Sequence, residues 1–535
     1  MSNHSSPKRK PSKSLFITIT SLYLGTFLVA LDTTIINTAL PAITTSFHAL
    51  NNLAWYGSAY LLTLTALQPT FGKLYKIVNV KPLYLGCIIL FEVGSIICAT
   101  ARSSLIFIIG RAIAGCGAAG LMQGSFAIVT KTVRLSQRPF YFGLFVSAFG
   151  VSIGVGPVLG GMLADRGMWR WCFWINLPLG AMVFMLVLAC LKSMGVDGKA
   201  DRSVCGIMQF LYRLDIGGSI LLVASVSCLF MAMQWGGQSL PWGSPIVIGL
   251  VISSAVLFAF FLILEWAMGD DASVPFPVLQ ERSIASGGVY LFFFAMPNFS
   301  YSVFVPMFFQ AVKSFSAQRS GAELLFLAMT QILSVVVVGA LVSKLGYYTP
   351  FITAGTALGV VGSGLITQLN ASTPHFLWAT YFVICGIGTG SAINLPYTAV
   401  SAVLKEKDMV IGNAVLQFSF QLGGAISLCI SQTLFLHRLT SNTKWELPDV
   451  STSAIMDAGA NGLLSLIEAP AELYMLKAAY MDAIQIVFIF LLVASGFAFL
   501  ASFGFEHKNV KQIEKKQKKA QGSDHCDNGS ALHKA

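Results

Sequence analysis

Long apolar runs and short polar connections alternate along the whole chain. Fourteen runs stand out, at 15–38, 52–72, 83–101, 105–130, 139–163, 171–193, 215–234, 245–267, 287–310, 321–343, 350–369, 376–400, 412–436 and 482–505. A helix needs about 20 apolar residues to cross the hydrocarbon of a bilayer. A helix also satisfies its own backbone hydrogen bonds, which lipid cannot do. The pattern predicts an all-α polytopic membrane protein with fourteen crossings, and an even number puts both chain ends on one side. The longest connection late in the chain, 437–481, has room for a short helix of its own.

Composition fits this reading. Of 535 residues, 55% are hydrophobic and 11% charged, with mean hydropathy +0.72; a soluble domain carries about 25% charged residues. Charge placement then orients the chain. Of 34 Lys and Arg, 25 lie in the two tails and in the connections on their side, against 8 on the other side and Arg111 within a run. Basic residues favour the cytoplasmic face, so both termini are expected in the cytoplasm and 437–481 outside. The same placement assigns the net charge of +11 to orientation and excludes nucleic acid as a partner. Ten scattered Cys with no CxxC pair argue against a disulfide framework or a zinc site. The basic segment 1–14 has no cleavage pattern. The tail 506–535, with KNVKQIEKKQKKA, reads as a solvated anchor or a lipid-headgroup contact. Asn370-Ala-Ser on the outer side is a glycosylation sequon close to the membrane.

A weak internal repeat divides the chain. GKLYKIVNVKPLYLG (72–86) resembles GALVSKLGYYTPFITAG (339–355), and CGAAG (116–120) resembles CGIGTG (385–390). The offset suits a six-helix bundle over 15–195, a linker with two inserted helices over 196–286, and a second six-helix bundle over 287–505. Transporters are often built this way, with the substrate path between the halves.

Charge inside a run demands a reason. Asp32 stands in an apolar stretch, FLVALDTTIINTAL. Desolvation raises a carboxyl pKa and a neighbouring cation lowers it, so a balanced site can exchange a proton near neutrality. Intramembrane acids are functional by default, although Asp32 could also be wet at a helix end. Arg111 opens the fourth run and must find an anion, carbonyls or water, with Asp32 or a substrate as candidates. Glu92, in FEVGSIIC, is either a second proton site or a neutral acid joining two helices. Glu265 reads as interfacial. In the fifth run Gly150, Gly154, Gly156, Gly160 and Gly161 surround Pro157. Small residues allow close helix approach and proline invites a bend, which suits a gating hinge as well as plain packing. After the second run, Gly72 permits a close contact, and Lys76 and Lys81 mark the inner face. Trp55, Tyr56, Tyr60, Gln68, Asn394, Tyr397, Gln417 and Gln421 are aromatics and amides fit to line a path for a moderately polar organic molecule, or to pack.

These strings resemble the major facilitator superfamily, in its fourteen-helix drug:proton antiporter branch. ALDTTIINTALPAI is similar to the helix-one motif, GRAIAGCGAAG to the helix-four Arg motif and SIGVGPVLGG to the helix-five antiporter motif. WYGSAYLLT, FGKLYKI, FEVGSIIC, WRWCFWINLPLG, QWGG and GYYTPF are similar to strings in fungal toxin and secondary-metabolite efflux pumps. The resemblance spans residues 15–505. It implies a monomeric plasma-membrane exporter of a small organic molecule, driven by the proton gradient without a cofactor. It assigns coupling to Asp32 and Arg111 and the helix-five hinge to Gly156 and Pro157. One position departs: the family's loop motif has Asp four residues after its first Gly, where this chain has Lys76. Uptake of a nutrient or siderophore, a vacuolar or vesicle location, and a membrane sensor or channel are the alternatives. No nucleophile elbow, phosphate loop or His cluster suggests an enzyme.

Overall fold

The computed structural model describes residues 13–47, 53–191, 215–237, 240–446 and 470–516. The chain runs through α1 (Lys13–Phe47), α2 (Leu53–Ala66), α3 (Gln68–Ile77), α4 (Val80–Thr100), α5 (Ser104–Thr132), α6 (Arg138–Asp165), the short α7 (Trp171–Trp174) and α8 (Asn176–Cys190). Next come α9 (Ile216–Trp235), α10 (Pro245–Met268), the short α11 (Phe276–Gln280), α12 (Arg282–Ala311) and α13 (Ala317–Leu345). The last are α14 (Thr349–Ile366), α15 (His375–Ala392), α16 (Leu395–Val403), α17 (Glu406–Glu446) and α18 (Pro470–Ser502). Among the described residues, thirteen stretches are long and apolar enough to cross a membrane. The remaining expected run, 52–72, is covered by α2 followed by α3, parted at Leu67 just before Pro69, which is compatible with fourteen crossings. Proline is tolerated there because the first turn of a helix has no partner for its N–H. Direction reverses at every crossing, so residue 13 and residues 503–516 share one end, the near end.

Several expected boundaries shift. α1 continues to Phe47, well past 38. The connection expected over 437–481 is helical at both its ends, because α17 reaches Glu446 and α18 starts at Pro470; residues 447–469 lie outside the described residues. The tail expected to be solvated from 506 is instead docked as far as 516. Val510 is buried and its N–H donates to the Gly346 carbonyl at 2.9 Å, while Ser136 N–H donates to Glu514 Oε2 at 3.1 Å. Apolar Val510 and Ile513, spaced three apart, give this otherwise basic segment a face to bury. Residues 1–12 and 517–535 lie outside the described residues.

The apolar interior has three main parts. At the near end one cluster draws on residues from both ends of the chain, including Tyr75, Phe126, Phe142, Tyr397, Val400 and Val410. At the far end the interior is divided. Ile35, Tyr56, Phe107 and Phe173 belong to a cluster of α1–α8 residues, and Phe304, Phe309, Trp378 and Phe488 to a cluster of α12–α18 residues. The glycine repeats explain why helices come so close. A Cβ on Gly117 would lie 2.4 Å from Phe91 N, and one on Gly388 2.2 Å from Gly359 N. CGAAG and CGIGTG thus do the same work, pressing α5 onto α4 and α15 onto α14. Without a hydrophobic drive between helices in lipid, such close packing is what holds them.

Helices α9 and α10 sit to one side. Ser219 meets Thr70 at 2.9 Å between hydroxyl oxygens, Gln234 donates to Ser58 Oγ at 3.0 Å, and Lys73 Nζ donates to the Asp271 carbonyl. Against α17, among the described residues, the same pair offers apolar packing, where Leu222, Val226 and Phe261 share a cluster with Ala425, Phe418 and Leu422.

Candidate functional site

The two mid-membrane charges meet. Arg111 Nη1 donates to Asp32 Oδ2 at 2.6 Å, and both side chains are buried, at 1% and 0% exposure. α1 supplies the acid and α5 the base. Burial forces the pairing, since an isolated charge in low dielectric is far costlier than a paired one. The other Asp32 oxygen accepts from Asn176 Nδ2 at 3.2 Å. Asn176 Nδ2 also lies 3.2 Å from Ser95 Oγ. Arg111 spends its Nε on the Tyr56 carbonyl at 3.0 Å and lays its guanidinium on the Tyr60 ring, 4.3 Å from the centroid. Five segments, α1, α2, α4, α5 and α8, therefore converge on one carboxylate. Asn176 and Ser95 escape a sequence reading because nothing in the sequence sets them apart from the many other uncharged polar residues within the runs.

Glu92 lies one helical turn from Ser95. Both its carboxylate oxygens are shut from solvent with no hydrogen-bond partner, and they press on α8 where a Cβ on Gly180 would sit 1.7 Å from Oε1. Glu265 is not interfacial in its contacts. It is buried, and Oε2 accepts from Val274 N–H at 2.9 Å where the chain folds back after α10.

The glycines of α6 sort into two faces. Cβ atoms on Gly156 and Gly160 would meet Thr34 Oγ1 at 2.2 Å and Thr38 Oγ1 at 2.3 Å, both on α1. Those on Gly150 and Gly154 would meet Ile332 Cγ1 at 2.2 Å and Leu325 Cδ2 at 3.2 Å, both on α13. Gly161 has open space around it. Pro157 stands inside α6 and leaves the Ile153 carbonyl without its helical donor. Beside it, Thr34 Oγ1 donates to the Ser152 carbonyl at 3.0 Å.

At the near end, polar contacts cross between the first and last helices. Lys76 Nζ lies 3.0 Å from Asp408 Oδ1. Gly72 abuts Ala414, where a Cβ would come within 2.5 Å of the Ala414 Cβ. Gln123 Nε2 donates to the Val410 carbonyl at 2.7 Å, and Asn394 Nδ2 to the Pro139 carbonyl at 3.0 Å. The Tyr397 ring lies against Phe126, tilted by 34° with centroids 4.7 Å apart. Asn394 and Tyr397, considered for a path, sit in this closed seam. Tyr56 is buried in the far-end cluster and donates to Ser104 Oγ at 2.9 Å. Trp55 is half-buried. Gln68, Gln417 and Gln421 are buried where α3 faces α17. Lys81 Nζ donates to the Leu188 carbonyl at 2.7 Å in the last turn of α8, where a cation also suits the helix dipole. Asn370 is exposed at the far end, and its side-chain oxygen accepts from Ser372 N–H at 3.0 Å.

A profile for the Major Facilitator Superfamily matches residues 22–428. The efflux pump aflT of Aspergillus parasiticus is 36% identical over 499 residues, covering 93% of this chain and 96% of that protein. The aspyridones efflux protein of Neocamarosporium betae is 38% identical over 443 residues, covering 82% and 78%. Among solved structures, the human organic anion transporter MFSD10 (TETRAN) superposes with TM-score 0.56 at 15% identity, covering 89% of this chain and 99% of that one. A bacterial homologue of the human lysosomal transporter Spinster, in an inward-facing and unoccupied conformation, gives TM-score 0.55 at 16% identity, covering 93% and 98%.

Proposed function

Since the chain belongs to the major facilitator superfamily and is a multi-pass membrane transporter of small molecules rather than an enzyme, we propose that it exports a small organic molecule, a fungal secondary metabolite, in exchange for protons. Relatives named as efflux pumps support the direction. The buried Asp32–Arg111 pair supports the coupling. The near end is the cytoplasmic face of the plasma membrane, as the basic residues favour, and Asn370 faces outside.

The cycle follows from what Asp32 touches. A proton arriving from outside neutralises Asp32 and frees Arg111, which keeps the Tyr56 carbonyl and the Tyr60 ring as partners. α1 then loses its tie to α5 and Asn176. Its other face is tied to α6 through Thr34 and Gly156, and α6 reaches α13 through Gly150. A change at Asp32 is thereby passed along packed helices to the second half of the molecule. With divided interiors at the far end and a joined one at the near end, the described state is closed towards the cytoplasm. Rocking about the α6–α13 contact would open the near end, where proton release restores the ion pair and substrate enters. Glu92, beside this network, is a second proton-holding group.

The single observation that carries the reading is the buried ion pair closed by Asn176. In proteoliposomes with an imposed pH gradient, Asp32→Asn abolishes gradient-driven export while leaving exchange of bound substrate. Wild-type gradient-driven rates in that variant would overturn the assignment.

A further inference from the structure

The seam between α3 and α17 repeats with helical spacing. α3 presents Gln68, Gly72 and Lys76 at i, i+4 and i+8. α17 presents Asp408 at its start, then Ala414, with Asn413, Gln417 and Gln421 also at i, i+4 and i+8. Lys76 meets Asp408, Gly72 meets Ala414, and further towards the far end Ala66 shares a cluster with Ala425. This register brings Gln68 level with Gln417 and Gln421.

These amides are buried without being satisfied. Gln68 and Asn413 are 0% exposed and none of their side-chain polar atoms has a partner; Gln421 Oε1 also lacks one. Gln123 gives its amide hydrogen to the Val410 carbonyl, but its Oε1 is left over. Burying such a group with no partner is destabilising. A seam meant only to stay shut would be apolar there. The cost is removed when α3 and α17 part and the amides meet something that hydrogen bonds.

Charge defines what that something is. The segments 283–312, 324–343, 376–404, 409–436 and 483–505 contain no Asp, Glu, Lys or Arg. On the other side of the seam, Asp32 and Arg111 are closed on each other, and Glu92 is turned to Gly180. A charged ligand would find no counter-ion at this depth. An amide both donates and accepts, so it serves a carbonyl or a hydroxyl equally.

Building on the export reading, we propose that Gln68, Asn413, Gln417 and Gln421 form the recognition site for an uncharged organic molecule bearing carbonyl and hydroxyl groups, presented when the near end opens. The site selects by hydrogen bonding and excludes net charge.

The test uses the full-length protein in inside-out proteoliposomes under a pH gradient, with one scaffold in three charge forms. The probes are 1,8-dihydroxyanthraquinone, anthraquinone-2-sulfonate and a trimethylammonium-bearing anthraquinone. The uncharged compound is moved at least about tenfold faster than either ion, and Gln68→Leu with Gln421→Leu raises its KM about tenfold, the loss of one hydrogen bond. Both Leu variants are at least as heat-stable as wild type, because each loses a buried oxygen with no partner, and Gln68→Leu loses the unpartnered amide nitrogen as well. Gln421→Glu gains movement of the cationic compound. Equal rates for the charged forms, or an unchanged KM in the double variant, would overturn this inference and leave export standing. If the wild type moves none of the three in response to the gradient, the export reading itself falls.

Discussion

Lys76 on α3 and Asp408 at the start of α17 hold the near end together across 3.0 Å, with the charges on the opposite helices from those the family's loop motif leads one to expect. The pair is partly exposed, 25% and 19% for the two side chains. Such a pair contributes at most about 1 kcal/mol. That is enough to bias two states of similar energy about fivefold. Either Lys76→Asp or Asp408→Lys alone puts like charges together and favours the opened near end. The swap carrying both restores the balance. Labelling of a cysteine placed at Ala414 reads this out, rising in each single variant and returning in the double. Equal labelling in all four proteins would remove Lys76 from gating.

Arg111 makes three different contacts that lysine cannot reproduce together: Nη1 to Asp32, Nε to the Tyr56 carbonyl, and a flat face on Tyr60. Arg111→Ala leaves Asp32 buried and unpaired, a loss of about 3–5 kcal/mol. Arg111→Lys falls between that and wild type. Thermal unfolding followed by tryptophan fluorescence ranks the three.

The α6 glycines predict a graded series. Gly160→Ala drives a methyl to 2.4 Å from the Ile35 carbonyl oxygen, a backbone atom that cannot step aside. Gly150→Ala meets the movable end of Ile332, and Gly161→Ala meets nothing. Overpacking costs about 1–3 kcal/mol, so stability and turnover fall most at Gly160, less at Gly150 and not at Gly161. Pro157→Ala is a separate case. It restores a helical donor to the Ile153 carbonyl, stiffens α6, and lowers kcat more than it raises KM. Equal effects on both would set aside the hinge.

Among the described residues, α9 carries hydrogen bonds to α2 and α3, while the α9–α10 pair meets α17 through apolar packing. On the rocking cycle proposed above, it travels with the first half and slides over the second. A disulfide between cysteines at Thr70 and Ser219 leaves transport unchanged. One between Val226 and Ala425 stops it. Transport surviving the second cross-link would show that the pair does not slide.

The long apolar helices were legible because lipid admits little else, and even the split pair α2 and α3 shows as one run. The Asp32–Arg111 pairing was also within reach: two charges in apolar runs each need a partner, and each is the other's simplest one. Neighbours such as Asn176, Ser95 and Asp408 were not. Residue type gives depth in a span, whereas the direction a side chain points depends on helix rotation, which hydrophobicity that is nearly uniform around a membrane helix does not fix. That is why the sequence did not tell that Tyr56, Asn394 and Tyr397 point into packed interiors in the described state. The tail beyond 506 misleads for a related reason, since two apolar residues suffice to dock a basic segment.

An interior joined at one end and parted at the other has a calorimetric consequence. If the near-end faces part as the far-end faces meet, apolar area is exchanged between ends and little is created. The heat capacity of the switch, which scales with apolar surface newly wetted, would then be close to zero even though dozens of side chains change neighbours. The balance between two forms related in this way would hardly curve with temperature.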